Sequence, residues 1–171
     1  MFENGLNRRS PEPYSFVQMG TGVGIDLVMV SRVEASLSRF GERFLRRVFT
    51  EGEIAYARSS PAATAERLAA RFAAKEAAFK AIGLAGPGIH TGVGWREIEV
   101  AREDSGRCRL ILHGAARAAA DEAGVAELSV SLTHEGDYSA AVVLAISSST
   151  LPDSRSIQNL NPQKLQETSA A

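Results

Sequence analysis

The chain has 171 residues, of which 44% are hydrophobic and 23% charged, and a formal net charge of −1. That length builds one ordinary domain with a core that needs no staples, and that balance excludes a disordered chain and a general nucleic-acid binder. The single cysteine, Cys108, excludes an intrachain disulfide and a multi-cysteine zinc site, and it fits a reducing, cytoplasmic setting.

Residues 1–18 are polar and rich in proline and arginine, and are expected to be a disordered extension. Arg8-Arg9 is followed by Ser10-Pro11-Glu12-Pro13 and not by an apolar segment, so an export signal is rejected. Met19 opens the first strand-like stretch and is a candidate start. The folded body is expected over 19–146. From 147 to 171 the sequence loses all periodicity and reads as a disordered tail. No apolar run approaches the ~20 residues that a membrane span requires.

Gly22-Val23-Gly24-Ile25-Asp26-Leu27-Val28 alternates as a strand, with Val23, Ile25 and Leu27 on one face. Gly20, Gly22, Gly24 and Asp26 occupy the other, where another backbone or a ligand can approach closely. Ser31-Arg32-Val33-Glu34 has the form of a capping box and predicts a helix to about Phe40. A short helix over 42–48 follows. Thr50-Glu51-Gly52-Glu53 is a second box, opening a helix through about Arg58. Ser60-Pro61 then predicts the start of a long alanine-rich helix that Gly83 stops after Ile82. Beyond the glycine-rich loop 83–94, Trp95–Ala101 and Arg107–Leu112 read as paired strands around Asp104-Ser105-Gly106. Gly114–Ala123 reads as a helix, and Leu128–Thr133 with Tyr138–Ile146 as a second hairpin. This order predicts an α+β fold, an antiparallel sheet packed against one long and several short helices.

The long helix carries its chemistry in an unusual place. At about 100° per residue, Leu68, Phe72, Phe79 and Ile82 share a narrow stripe; Lys75 falls in its middle and Glu76 at its margin, roughly 70° from the centre. Ionisable groups against a core require partners. Asp26 and Glu76 form a candidate pair of hard carboxylates for Mg²⁺; the plainer alternatives are a strand-end cap for Asp26 and a pair with Lys80 for Glu76. Arg71, Lys75 and Lys80 are candidate phosphate partners, against solubilising or helix-terminal cations. Neither glycine-rich segment matches a nucleotide fingerprint. His134 ends a strand and reads, from position alone, as a turn histidine. No Gly-x-Ser-x-Gly occurs, Cys108 reads as buried filler, and His90 and His113 have no ligand spacing. Arg32, Arg39, Arg43, Arg46 and Arg47 face only Glu34 and Glu42 over the same stretch, a positive face suited to an acidic macromolecule or simply to solvent.

Together these segments resemble the bacterial holo-acyl-carrier-protein synthases, the short class of 4′-phosphopantetheinyl transferases. The likeness rests on Gly22-Val23-Gly24-Ile25-Asp26-Leu27 with Arg32, on Phe49-Thr50…Glu53 and on Arg71-Phe72-Ala73-Ala74-Lys75-Glu76-Ala77 with Lys80-Ala81. It continues through Trp95…Ile98-Glu99-Val100 and Val130-Ser131-Leu132-Thr133-His134 to Tyr138-Ser139-Ala140-Ala141. The resemblance implies transfer of phosphopantetheine from coenzyme A to a serine of apo-acyl carrier protein, releasing adenosine 3′,5′-bisphosphate. It implies Mg²⁺ on Asp26 and Glu76, and phosphate charge balanced by Lys75 and Lys80. Arg71, the loop from Gly83 to Gly88 and His134 would meet the nucleotide end of coenzyme A, and Arg32 with the arginines after it would meet the carrier. It further implies a homotrimer with sites between subunits. Glu76, a metal-bound water and Lys75 are all candidates to take the serine proton. Glu135 stands where the family commonly has a small hydroxylated residue. Two rival readings use the same arginines: a catalytically silent oligomeric module that binds carrier proteins, and an RNA-binding module, which lacks aromatic interleaving.

Overall fold

In the computed structural model, residues 21–84, 86–88 and 91–148 are described; the expected extension 1–18, the candidate start Met19, Gly20, His90 and the tail from 149 onward lie outside them. Strand β1 (Thr21–Met29) leads without a loop into helix α1 (Val30–Phe40), then α2 (Glu42–Val48) and α3 (Glu51–Arg58). A 3₁₀ turn, Pro61–Ala63, precedes the long helix α4 (Thr64–Ile82). The hairpin β2 (Ile98–Arg102) and β3 (Cys108–Leu112), helix α5 (Gly114–Glu122), and the hairpin β4 (Val125–Glu135) and β5 (Tyr138–Ser147) complete the chain. The α+β class follows. The strands form two antiparallel sheets: three-stranded β1-β5-β4 and two-stranded β2-β3. No described helix is long and apolar enough to cross a membrane.

Glycine and alanine set the central packing. A Cβ on Gly22 would lie 2.0 Å from the Ala81 carbonyl oxygen, and one on Gly24 only 1.8 Å from that of Ala77. The bare face of β1 therefore lies directly against the α4 backbone. Helix α4 is wider in burial than the expected stripe. Ala69, Ala73, Ala74, Ala77, Ala78 and Ala81 are buried along with Leu68, Phe79 and Ile82. Alanine is small enough to be covered from several directions, so α4 serves as the axis of two core clusters. One joins its C-terminal half to the sheets and α5, and the other joins its N-terminal half to α1, α2 and α3.

Three local expectations change. The box at Thr50 forms as read, with Thr50 Oγ1 accepting from the Glu53 amide and Glu53 Oε2 accepting from the Thr50 amide at 2.8 Å. The box at Ser31 does not: α1 starts two residues earlier than a Ser31 cap would set, with Met29 at the cap position, and the Ser31 amide and hydroxyl donate to the Asp137 carboxylate at 2.8 and 2.7 Å. A carboxylate from the β4–β5 turn thus caps the positive end of α1 across the fold. Ser60 offers no side-chain cap, and Thr64 opens α4 after the 3₁₀ turn. Trp95–Glu97 is a 3₁₀ turn and not strand, because the Glu97 carboxylate folds back onto the Gly94 and Ala115 amides at 2.7 and 2.9 Å. Cys108, at the start of β3, acts as filler as read, but is half-buried, packed against the core cluster at its edge.

Candidate active site

Asp26 lies on the face of β1 that carries Gly22 and Gly24, so the close approach of α4 brings it beside Glu76 and Lys80. Lys80 Nζ donates to Asp26 Oδ1 at 2.9 Å and to the Ile25 carbonyl at 2.8 Å. Glu76 is partly buried, and its pKa is raised from the ordinary carboxylate value by that burial first and by the Asp26 charge second; Lys80 opposes both. Two mutually repelling carboxylates with one ammonium, held on Asp26, leave excess negative charge, which a cation would relieve. Among the described residues no third Asp, Glu, His or Cys completes a metal cluster with them. Two hard oxygen donors with room for water and phosphate is the donor set that suits Mg²⁺, so these residues fit that ion.

Asp26 and Glu76 open onto a cleft of about 490 Å³, also lined by Arg32, Ser36, Phe44 and Phe72. Phe72 is held by stacking on Trp95, with ring centroids 4.7 Å apart. Arg32, expected at a docking face, thus shares a cavity with the carboxylates. A neighbouring hollow is formed by Phe40, Arg43, Phe44 and Arg47. Arg39 lies over the Phe40 ring at 4.9 Å, and Arg46 reaches Glu42 at 4.0 Å on the solvated side of α2.

Lys75 is elsewhere. Its ammonium has no exposed surface and lies 2.9 Å from Glu53 Oε2, which is equally buried. It also donates to the Trp95 carbonyl at 3.0 Å and to that of Ile98. Glu53 Oε1 in turn accepts from the Val100 amide at 2.9 Å. Burial pulls the Lys75 pKa below the ordinary lysine value, with Glu53 the chief opposing influence. The expectation that Lys75 balances ligand phosphate is therefore corrected: with three internal acceptors, it is spent inside the protein. Sequence reading saw that Lys75 needed a partner and missed that Glu53, already accounted for as a cap, supplies it.

Arg71 is buried too. Its guanidinium covers the Tyr56 ring at 4.1 Å, Nη1 donates to the Arg67 carbonyl at 3.1 Å, and Nε has no partner. Desolvation lowers its pKa, against the pull of Cys108, Tyr56 and Glu53. Gly83 caps α4 in the left-handed conformation at φ 83°, its amide donating to the Lys80 carbonyl at 3.1 Å. His134 Nε2 lies 3.4 Å from Glu66 Oε1, in the first turn of α4. Glu66 is about 15 Å along the helix axis from Glu76 at 1.5 Å per residue. Strand β5 also separates β4 from β1, since Val28 pairs Ser139 and Ser139 pairs His134. Within one chain the structure brings together Asp26, Glu76, Lys80 and Arg32, and leaves His134 and Arg71 apart from them.

The chain matches the model of the 4′-phosphopantetheinyl transferase superfamily over residues 22–143. It is 48% identical over 126 residues to the holo-[acyl-carrier-protein] synthase of Herpetosiphon aurantiacus, covering 72% of this chain and 96% of the relative. The same enzyme of Moorella thermoacetica is 50% identical over 130 residues, covering 73% and 93%. Among solved structures it is similar to the coenzyme A complex of the synthase described as from Chronobacterium ammoniagenes. That match has a TM-score of 0.64 and 36% identity over 75% of this chain and 98% of the other. The chain belongs to the 4′-phosphopantetheinyl transferase superfamily and, within it, to the holo-[acyl-carrier-protein] synthases.

Proposed function

We propose that the protein transfers phosphopantetheine from coenzyme A to a serine of apo-acyl carrier protein, with Mg²⁺, in cytoplasmic fatty-acid synthesis. The observation that carries this reading is the convergence of Asp26 and Glu76 on one cleft, with the Lys80 ammonium 2.9 Å from Asp26 Oδ1. The serine oxygen attacks the phosphorus that bears pantetheine, a new O–P bond forms, and the bond to adenosine 3′,5′-bisphosphate breaks. Asp26 and Glu76 would hold Mg²⁺, which when bound supplies charge neutralisation for the diphosphate and its leaving group. Lys80, half-exposed beside Asp26, supplies a cation for a diphosphate oxygen. Lys75, fully engaged as a donor, is removed from the candidates for the base. That leaves the carboxylates of the cleft as the protein groups able to accept the serine proton. Phe72 and Phe44 give the cleft an apolar wall that limits water, and Arg32 at its edge attracts an acidic carrier. Arg39, Arg43 and Arg47, around the hollow beside Phe40 and Phe44, extend that docking surface.

A homotrimer is part of this reading. Val23, Ile25 and Leu27 are 63%, 63% and 62% exposed on the face of β1 away from α4, and Val142 of β5, paired with Ile25, adds to them. A contiguous apolar sheet face of this kind supports burial against copies of the chain. Assembly would let the exposed His134 of one subunit meet coenzyme A held by Asp26 and Glu76 of its neighbour, whereas Arg71, buried over Tyr56, would reach it only if its side chain moved.

Mass spectrometry of apo-acyl carrier protein incubated with the enzyme, coenzyme A and Mg²⁺ tests the reaction. The expected result is a mass gain equal to phosphopantetheine, abolished by a chelator and by Asp26→Ala. Carrier binding with no mass gain would instead establish a silent docking module.

A further inference from the structure

Lys80 already engages one of the two carboxylate oxygens that Asp26 could offer a cation. The pair is not fully buried: the lysine side chain is half-exposed, and the carboxylate is 19% exposed at the cleft wall. A lysine one turn after a glutamate on a helix usually turns back toward it, and Glu76 stands in that place. Lys80 instead crosses to β1, where the Ile25 carbonyl and Asp26 Oδ1 hold its ammonium at 2.8 and 2.9 Å. The cluster of Asp26, Glu76 and Lys80 therefore carries a formal charge of −1 where two bare carboxylates would carry −2, and a donor oxygen of Asp26 is already engaged.

We propose that Lys80 is the resident counter-ion of Asp26 in the ligand-free enzyme, so that a divalent cation binds weakly by itself and tightly only with the coenzyme A diphosphate. This rests on the metal reading above. A cation arriving alone must compete for Asp26 with an ammonium of the same sign, and the displaced ammonium gains no anionic partner in exchange. A cation arriving with a diphosphate brings the ammonium a new anionic partner, within reach of a flexible four-carbon stem. Binding of the two ligands is then coupled, and the coupling is reciprocal: the cation strengthens coenzyme A binding by the same factor. Lys80 acts as a positioning residue that orders the loading of the site.

The test is Mn²⁺ binding to the full chain, followed by electron paramagnetic resonance of free Mn²⁺, with and without coenzyme A. In the parent, Mn²⁺ should bind at least about fivefold tighter with coenzyme A than without it, the lower end of typical coupling between sites. In Lys80→Gln, Mn²⁺ alone should bind at least about fivefold tighter than in the parent, and the gain from coenzyme A should shrink by a similar factor. Lys80→Arg, which keeps the charge, should retain weak binding of Mn²⁺ alone. Lys80→Met replaces Lys80→Gln if the latter fails to fold. Affinity for Mn²⁺ alone that is unchanged in the neutral variants overturns the inference. If Asp26→Asn also leaves Mn²⁺ binding in the presence of coenzyme A unchanged, the metal reading itself fails; if Asp26→Asn abolishes it, only the role of Lys80 does.

Discussion

Lys75 Nζ and Glu53 Oε2 lie 2.9 Å apart, and neither side chain has any surface in contact with solvent. One carboxylate thereby joins three elements. It caps α3 through the Thr50 amide, receives the ammonium of α4, and accepts the Val100 amide of β2. Removing either partner strands a buried charge. Lys75→Met and Glu53→Gln should each destabilise the fold by about 3–5 kcal/mol, and the double variant by clearly less than the sum of the two. Urea unfolding of all four proteins measures this. Additive losses would mean that the two charges do not depend on each other.

The spacing of β1 and α4 sets the separation of Asp26 from Glu76. Gly24→Ala places a Cβ 1.8 Å from the Ala77 carbonyl oxygen, so strand and helix must part. The expected cost is about 3 kcal/mol or more from overpacking, accompanied by loss of transferase activity. Gly52→Ala is the contrasting case, in the first turn of α3, where the nearest atom is Glu99 Oε1 at 3.4 Å. It should be neutral or stabilising by up to about 1 kcal/mol, since alanine favours helix. Thermal melts and turnover of the two variants compare them directly.

Glu76 is ionised at a cost. Burial and Asp26 raise its folded pKa above its unfolded value of 4.5. The stability linked to this group is fully present below the unfolded pKa and is lost as pH rises through the folded one. At about pH 8 ligand-free Glu76→Gln should therefore melt above the parent, by no more than about 1 kcal/mol given solvent screening of a partly exposed group. Near pH 4 the advantage should vanish. A variant less stable than the parent at the higher pH would show that Glu76 is stabilised, not strained, by its surroundings.

The outer face of β1 gives a separate test of assembly. Ile25→Asp puts a charge in the middle of the Val23–Leu27 stripe without touching the α4 side. Sedimentation velocity should show a trimer for the parent and a monomer for the variant. A variant that still sediments as a trimer would place the interface elsewhere.

The sequence made some of this visible and hid the rest for physical reasons. Local signals were reliable where one segment satisfies itself: Thr50 and Glu53 cap α3, and Gly83 ends α4 in the left-handed conformation. Signals failed where a distant group takes over. Asp137, 106 residues from Ser31, caps α1 and displaces the local box. The bare glycines of β1 announced a close approach, and α4 supplies it. Lys75 announced a buried charge, but its partner could not be found by periodicity because α3 and α4 meet only in three dimensions. The alanines of α4 carry too little hydrophobic contrast to reveal a helix covered on almost every side. His134 was placed in the site by family likeness alone, and in one chain it stands beside Glu66.

The most direct measurement is anomalous diffraction from crystals of the enzyme with coenzyme A and Mn²⁺. The expected result is a single peak per site within about 2.2 Å of carboxylate oxygens of both Asp26 and Glu76, with a diphosphate oxygen completing the contact. A peak that touches neither carboxylate would contradict the assignment of these two residues as the metal clamp.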